Sequence, residues 1–302
     1  MTDVARPQNT QGTPAAEIEI DEALVRSLLS DQHTDLAKLP LKHIESGWDN
    51  STWKLGEDMA VRVPRRTIAN TLLKREQAWL PKLAPQLPLP VPASLRAGSP
   101  TDRFPWVWSV LPWLEGGAVD QNPLDGDQAS VLATFLKALH RPAPDDAPLS
   151  EVRGVALSTR VESTGERMDR LEQWTDAITP RIRDLGEEAL AAPMDLAPTS
   201  LHGDLHARNV LAKGGKLTGV IDWGDMCAGD PACDLNSIWM LLPDAASRQA
   251  ARETYANISD ATWARARGWA ILMGVVLLDT GLVDTPRHAA MGVETLRRVE
   301  EG

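Results

Sequence analysis

The chain is poor in the residues that staple or anchor a protein. It has two cysteines in 302 residues, too few for a disulfide framework. Neither Cys227 nor Cys233 has companions at zinc-site spacing, so reduced thiols in a cytoplasmic setting are the expectation. Basic residues are in deficit, with 31 Lys and Arg against 42 Asp and Glu and a net charge of −11. That excess argues against a nucleic-acid partner, because neutralising phosphates needs a basic face. The most apolar stretch, "GWAILMGVVLLDT", is stopped by Asp279, well short of the roughly 20 residues of a membrane span. The first residues lack the positive start and apolar run of a secretory signal. Aromatic residues are skewed to 11 Trp against one Tyr and two Phe, which leaves Trp to fill the large core positions.

What remains is ordinary for a globular protein: 43% hydrophobic and 24% charged residues. The length favours two lobes. Residues 1–17 read as a disordered polar tail. "IDEALVRSLLSDQ" has helical spacing behind Asp21, a plausible N-cap. Three short β-like runs follow at 41–45, 51–56 and 59–64, with turn residues between them. A helix is expected over 68–87, ended by prolines. A buried strand is expected over Trp106–Leu111, and Gly116-Gly117 after it suggests a hinge and the lobe boundary. Beyond that come an amphipathic helix stopped by Pro142, an irregular stretch over 143–165, and a helix over 165–192 with a break at Pro180. The resulting domains are 18–115 and 116–302.

The informative segment is "SLHGDLHARNVLAKGGKLTGVIDWGD". Gly214-Gly215 predicts a tight hairpin that sets Lys213 opposite Lys216. Counting back with period two then places Asn209 and Asp222 on one face. An amide oxygen and a carboxylate on rigid elements suit Mg²⁺, a hard cation that keeps waters or substrate phosphates. Asp204, in the loop before the hairpin, is placed to accept or orient the proton of an attacking hydroxyl. Asp-x₄-Asn before a hairpin and a metal-binding Asp after it is the division of labour of phosphoryl-transfer kinases.

"HGDLHARN" followed by "VIDWGD" resembles the aminoglycoside phosphotransferase-like small-molecule kinases. "ESGWDNSTWKLGEDMAVRVPRR", "REQAWLPKL" and "LPLPVPASLRAG" extend the resemblance upstream. It implies an α+β, two-lobed protein-kinase-like fold. The small N-lobe would hold an antiparallel sheet and one helix, the larger C-lobe mainly helices. It implies Asp204 as the catalytic base, Asn209 and Asp222 as Mg²⁺ ligands, and His202 as a brace for the catalytic loop. The turn Gly47-Trp48-Asp49-Asn50-Ser51 would cover the phosphates of ATP or GTP with backbone N–H groups. Arg62 would contact those phosphates and pair with Glu76. Leu111–Glu115, Leu111 and Trp113 among them, would present backbone groups to the purine ring. Asp234 would be structural support.

Arg62 stands where protein kinases have Lys, Gly203 stands within their His-Arg-Asp, and Trp223 within their Asp-Phe-Gly. His206 replaces the catalytic-loop Lys. These departures point to a small-molecule hydroxyl acceptor, as a monomer or dimer without membrane or nucleic-acid partners. The acceptor stays open between an aminoglycoside or other antibiotic and an amino alcohol, sugar or amino acid. A nucleotide-binding pseudokinase is the rival reading. Asp279, Asp284 and Glu294 read either as an acidic pocket wall for an amine-rich sugar or as a solvated face.

Overall fold

The structure, a computed structural model, describes residues 12–302. The expected tail lies outside the described residues over 1–11. Its last residue, Glu17, is tied down: its carboxylate accepts the Thr67 N–H at 3.1 Å and the Thr67 hydroxyl at 2.6 Å. The chain divides into two compact units. One comprises Pro14–Glu115 with Gly219–Gly224; the other comprises Gly116–Thr218 and Asp225–Gly302, with Gly12 and Thr13.

The amino-terminal unit opens with α1 (Glu22–Gln32), capped as expected by Asp21, whose side chain accepts the Leu24 N–H. Then come β1 (Leu41–Ser46), β2 (Asn50–Leu55), β3 (Met59–Pro64), α2 (Thr67–Leu83), β4 (Arg96–Gly98) and β5 (Trp108–Pro112). The sheet is antiparallel in the order β1-β2-β3-β5-β4. β2 alternates half-buried and buried residues, which sends Ser51, Trp53 and Leu55 inward. Trp53, Val61, Val63, Trp108 and Val110 form a core with Val25, Leu28 and Leu29 of α1. β1 is the exposed edge, blunted by Lys42 and by a register shift between His43 and Glu45. The last strand starts two residues later than predicted. Trp106 is buried, but the Val107 N–H is donated to the Asn70 side chain at 3.0 Å, so the backbone joins the ladder only beyond it.

The carboxy-terminal unit is mainly helical. β6 (Gly117–Ala118), β8 (Val210–Lys213) and β9 (Lys216–Val220) form one small sheet, and β7 (Thr199–Leu201) pairs antiparallel with β10 (Cys227–Gly229). The helices are α3 (Ala129–Leu139), α4 (Val161–Leu171), α5 (Pro180–Ala191), α6 (Ala232–Leu235), α7 (Ser237–Leu241), α8 (Ala245–Tyr255), α9 (Asp260–Asp284) and α10 (Pro286–Glu301). α4 begins inside the stretch expected to be irregular. Pro180 starts α5 rather than interrupting a longer helix: Thr179 caps it by accepting the Ile182 N–H, and the missing proline N–H is one that the first turn leaves unpaired anyway. By length and composition α9 is apolar enough to cross a membrane, yet most of that window is buried against α10, α5, α6 and α4.

Candidate active site

In the amino-terminal unit, the alternation of β3 turns Val61 and Val63 into the core and leaves Arg62 for the opposite face, where α2 packs. The buried stripe of α2 is Ala69, Leu73, Glu76 and Leu80. Glu76 thus occupies a position where helical periodicity asks for an apolar residue. Its carboxylate accepts a hydrogen bond from Arg62, and Arg62 also reaches the Asp222 carboxylate at 3.5 Å. Burial pushes the Glu76 carboxyl above the usual range against the pull of Arg62. The Arg62 Nε is buried without a partner in the protein, a spare donor suited to an anion. Asp222 follows the end of β9 in a left-handed conformation (φ +61°). This corrects the face-counting expectation: period-two alternation holds only in extended chain, and Asp222 is not extended. Its side chain is half exposed.

The turn after β1 is more self-contained than expected. The Gly47 N–H is donated to the Asn50 carbonyl at 2.9 Å, and the Gly47 carbonyl accepts from Arg65. Ser51 is fully buried in the ladder between Ser46 and Val63, and its hydroxyl accepts from the Trp53 indole at 3.0 Å. The Gly47 N–H is thus paired within the turn, and Ser51 lies in the sheet. Trp48, Asp49 and Asn50 make the turn itself, with Asp49 held at 3.1 Å by Arg66. Leu111 is buried and paired with Ala60. The Trp113 N–H, which the resemblance offers to a purine, is donated to the Asp58 carbonyl at 2.8 Å, just beyond the ladder.

In the carboxy-terminal unit, the chain leaves β7 into His202-Gly203-Asp204. The buried Asp234 accepts the His202 N–H at 2.6 Å and the Gly203 N–H at 2.8 Å, which pins the loop from below. Burial alone would raise the Asp234 carboxyl; His140 and His202 reverse that and hold it low. His140 donates or accepts at Tyr255 (2.8 Å) and lies 3.4 Å from Asp234, a core partner rather than a ligand. The His202 ring accepts the Asp204 N–H at 3.2 Å, the bracing role expected of it. Gly203 needs to be glycine: its φ is +85°, and a Cβ there would sit 2.4 Å from the Asp225 carbonyl. That explains the departure from His-Arg-Asp.

Asp204 Oδ1 accepts from Arg153 at 2.7 Å, and Oδ2 lies 3.3 Å from the Asn209 amide nitrogen and 3.4 Å from His206. Burial would raise this carboxyl, but Arg153, His206 and His202 together hold it well below the usual carboxylate range. Asn209 also donates to the Asp204 carbonyl at 2.9 Å, which leaves its amide oxygen as the end able to face a cation. Arg208 donates to His288 at 2.6 Å.

Arg153 is the residue that sequence reasoning missed. It lies in the stretch 143–165, and nothing in "EVRGV" marks it. It bridges Asp204 and Asp225 (3.3 Å) while its other amino group meets the Met273 sulfur at 3.1 Å. The acidic-wall expectation also needs correcting. Asp279 is fully buried between Arg167 and Arg170, Glu294 pairs with Arg297 and Arg298, and Asp284 accepts the Thr13 N–H. Asp279 and Glu294 are thus paired with arginines of the protein itself, and Asp284 with a backbone N–H. The two cysteines are free and buried.

Two of the residues singled out in the sequence carry oxygen donors of the kind Mg²⁺ takes. Asn209 and Asp222 offer hard oxygens, and no cluster of three or more His, Cys, Asp or Glu occurs among the described residues.

No curated protein matches the sequence. Among solved structures, the GDP complex of wild-type aminoglycoside 2'-phosphotransferase-IIIa is similar at TM-score 0.68 and 17% identity, covering 93% of this chain and 99% of that one. The gentamicin complex of APH(2")-IIa matches at 0.59 and 21%, covering 93% and 97%. The apoenzyme of macrolide 2'-phosphotransferase MphH from Brachybacterium faecium matches at 0.60 and 18%, covering 91% and 97%. These share the kinase-like fold. The model of the phosphotransferase enzyme family matches residues 40–269, so the chain belongs to that family and is a small-molecule kinase.

Proposed function

We propose that the protein transfers the γ-phosphoryl group of ATP or GTP to a hydroxyl of a small molecule, with Asp204 orienting the acceptor oxygen. The observation that carries this reading is the environment of Asp204: a carboxylate kept ionised by Arg153 and braced by His202, His206 and Asn209. So depressed a carboxyl is a weak base in the ground state. It holds the hydroxyl by accepting its hydrogen bond, and takes the proton late, once bond formation to phosphorus has made that oxygen acidic. Asn209 and Asp222 would hold Mg²⁺, which when bound neutralises charge on the phosphates. Arg62, kept in place by Glu76 and carrying a spare buried donor, would contact a phosphate oxygen.

The test is Mg²⁺-dependent release of ADP or GDP against a panel of aminoglycosides, macrolides, homoserine, choline and sugars. Asp204→Asn should cut kcat by about 10²–10⁴-fold while nucleotide affinity stays within a fewfold. Activity surviving within a fewfold means that Asp204 does not orient the acceptor.

A further inference from the structure

Within the carboxy-terminal unit, α4, α5 and α9 enclose a groove of about 190 Å³. That exceeds the roughly 150 Å³ cavity that takes up benzene in other proteins, so it accommodates one ring-sized apolar segment. Its walls are largely apolar, with Leu157, Met168, Ile271 and Leu272 among them. Two of its lining residues are Gly165 and Gly186, in the middle of α4 and α5. A helix-interior glycine costs about 0.5–1 kcal/mol relative to alanine, and glycine is usually kept there for close packing. Here no atom lies within 4 Å of where either Cβ would be. Both glycines face open space, and larger residues would fill it.

Arg160, also on the wall, has a buried Nε without a partner. No carboxylate pairs with it among the described residues, whereas Arg183 on the same wall is neutralised by Asp169 and Glu172. Burial, with the charges of Arg153 and Arg167 nearby, makes its cation less stable than an exposed one. An uncompensated cation beside an apolar groove is complementary to an anion carrying an apolar body. A short run of residues links the groove wall to Asp204. Leu272 lines the groove, the neighbouring Met273 touches Arg153, and Arg153 holds Asp204.

We propose that this groove seats the acceptor, and that the acceptor is a hydroxy compound with an apolar body and a carboxylate or similar anionic group that pairs with Arg160. It is not a polyamine. The assignment to the acceptor rests on the phosphotransferase reading above; the groove as a binding site does not.

The binding test uses the full chain and the anionic fluorophore 8-anilinonaphthalene-1-sulfonate. Gly186→Leu and Gly165→Val should each weaken its binding at least tenfold with Tm unchanged or raised. Equal binding by these variants and the parent overturns the site. Mandelate should displace the fluorophore at a concentration at least tenfold lower than 2-amino-1-phenylethanol, which has the same phenyl carbinol body. Arg160→Gln should erase that preference and Arg160→Lys should keep most of it; no preference in the parent chain overturns the anionic class. With mandelate and related aromatic hydroxy acids added to the turnover panel, Gly186→Leu should raise their KM as acceptors at least tenfold. If KM is unmoved while Asp204→Asn abolishes turnover, the acceptor assignment falls and the phosphotransferase reading stands. If the fluorophore results hold but no acceptor is turned over, the failure lies with that reading and the groove stands as a ligand site.

Discussion

At the scale of single residues, the loop around Asp204 is held by contacts that each have one chemical solution. Asp234 receives two backbone N–H groups in a dry site, and Gly203 passes the backbone against the Asp225 carbonyl at a φ that side chains avoid. Gly203→Ala should therefore cost well over 1 kcal/mol, because alanine is incompatible with that φ and with the 2.4 Å approach. Circular dichroism melts should show a lowered Tm, and kcat should fall because Asp204 is the next residue. An unchanged Tm would mean that the loop relaxes freely. The motif residues can be picked out because they sit close together in sequence: His202, Asp204, Asn209 and Asp222 lie within one stretch, and Asp234 takes up the His202 and Gly203 N–H groups. Arg153 was illegible for the opposite reason. Its partners Asp204, Asp225 and Met273 are 51, 72 and 120 residues away, and an isolated arginine in a loop carries no local pattern.

At the scale of elements, the pairing of β3 with α2 depends on one charge pair in an otherwise apolar contact. The stripe Ala69, Leu73, Glu76, Leu80 has a carboxylate in it, and β3 answers with Arg62. Both are almost fully buried. Removing one partner leaves the other charged and desolvated, so Glu76→Leu should lose about 3–5 kcal/mol in urea denaturation. Arg62→Met with Glu76→Leu should recover much of that loss, since an apolar pair can replace a buried ion pair at little net cost. Nucleotide affinity should not recover in the double variant. If it does, Arg62 is there for α2 and not for phosphate. The strands around this pair were legible from alternation and turn residues, β3 to the residue. The turn over Gly47–Ser51 was less legible, because composition shows that a turn exists but not that its own carbonyls and ladder take up the N–H groups. The face assigned to Asp222 failed likewise, since a single left-handed residue ends the alternation on which the count relied.

For the molecule as a whole, acid stability provides a test that needs no ligand. His288 stands in the first turn of α10, where a helix terminus disfavours a cation. Burial, Arg208, His206 and Arg287 lower its pKa from an ordinary 6.5 to about 4. Its Nε2 lies 2.6 Å from the Arg208 guanidinium, and only the neutral ring can accept that hydrogen bond. In the unfolded chain the same histidine titrates near 6.5. Between pH 6.5 and 4 the unfolded state thus binds a proton that the folded state refuses, so stability must rise with pH across that window and fall as pH drops through it. Carboxylates held low act further down: Asp195, lowered to about 2 by Ser259 against the opposing effect of burial, gives up its contribution only below the ordinary carboxylate range. His288→Gln keeps an oxygen acceptor for Arg208 and cannot take up the proton. Its Tm should fall less between pH 6.5 and 4.5 than that of the parent, with the two curves running parallel above pH 7. Parallel curves throughout would show that His288 charges freely in the folded protein, and that the contact between α10 and the loop carrying Arg208 opens without cost.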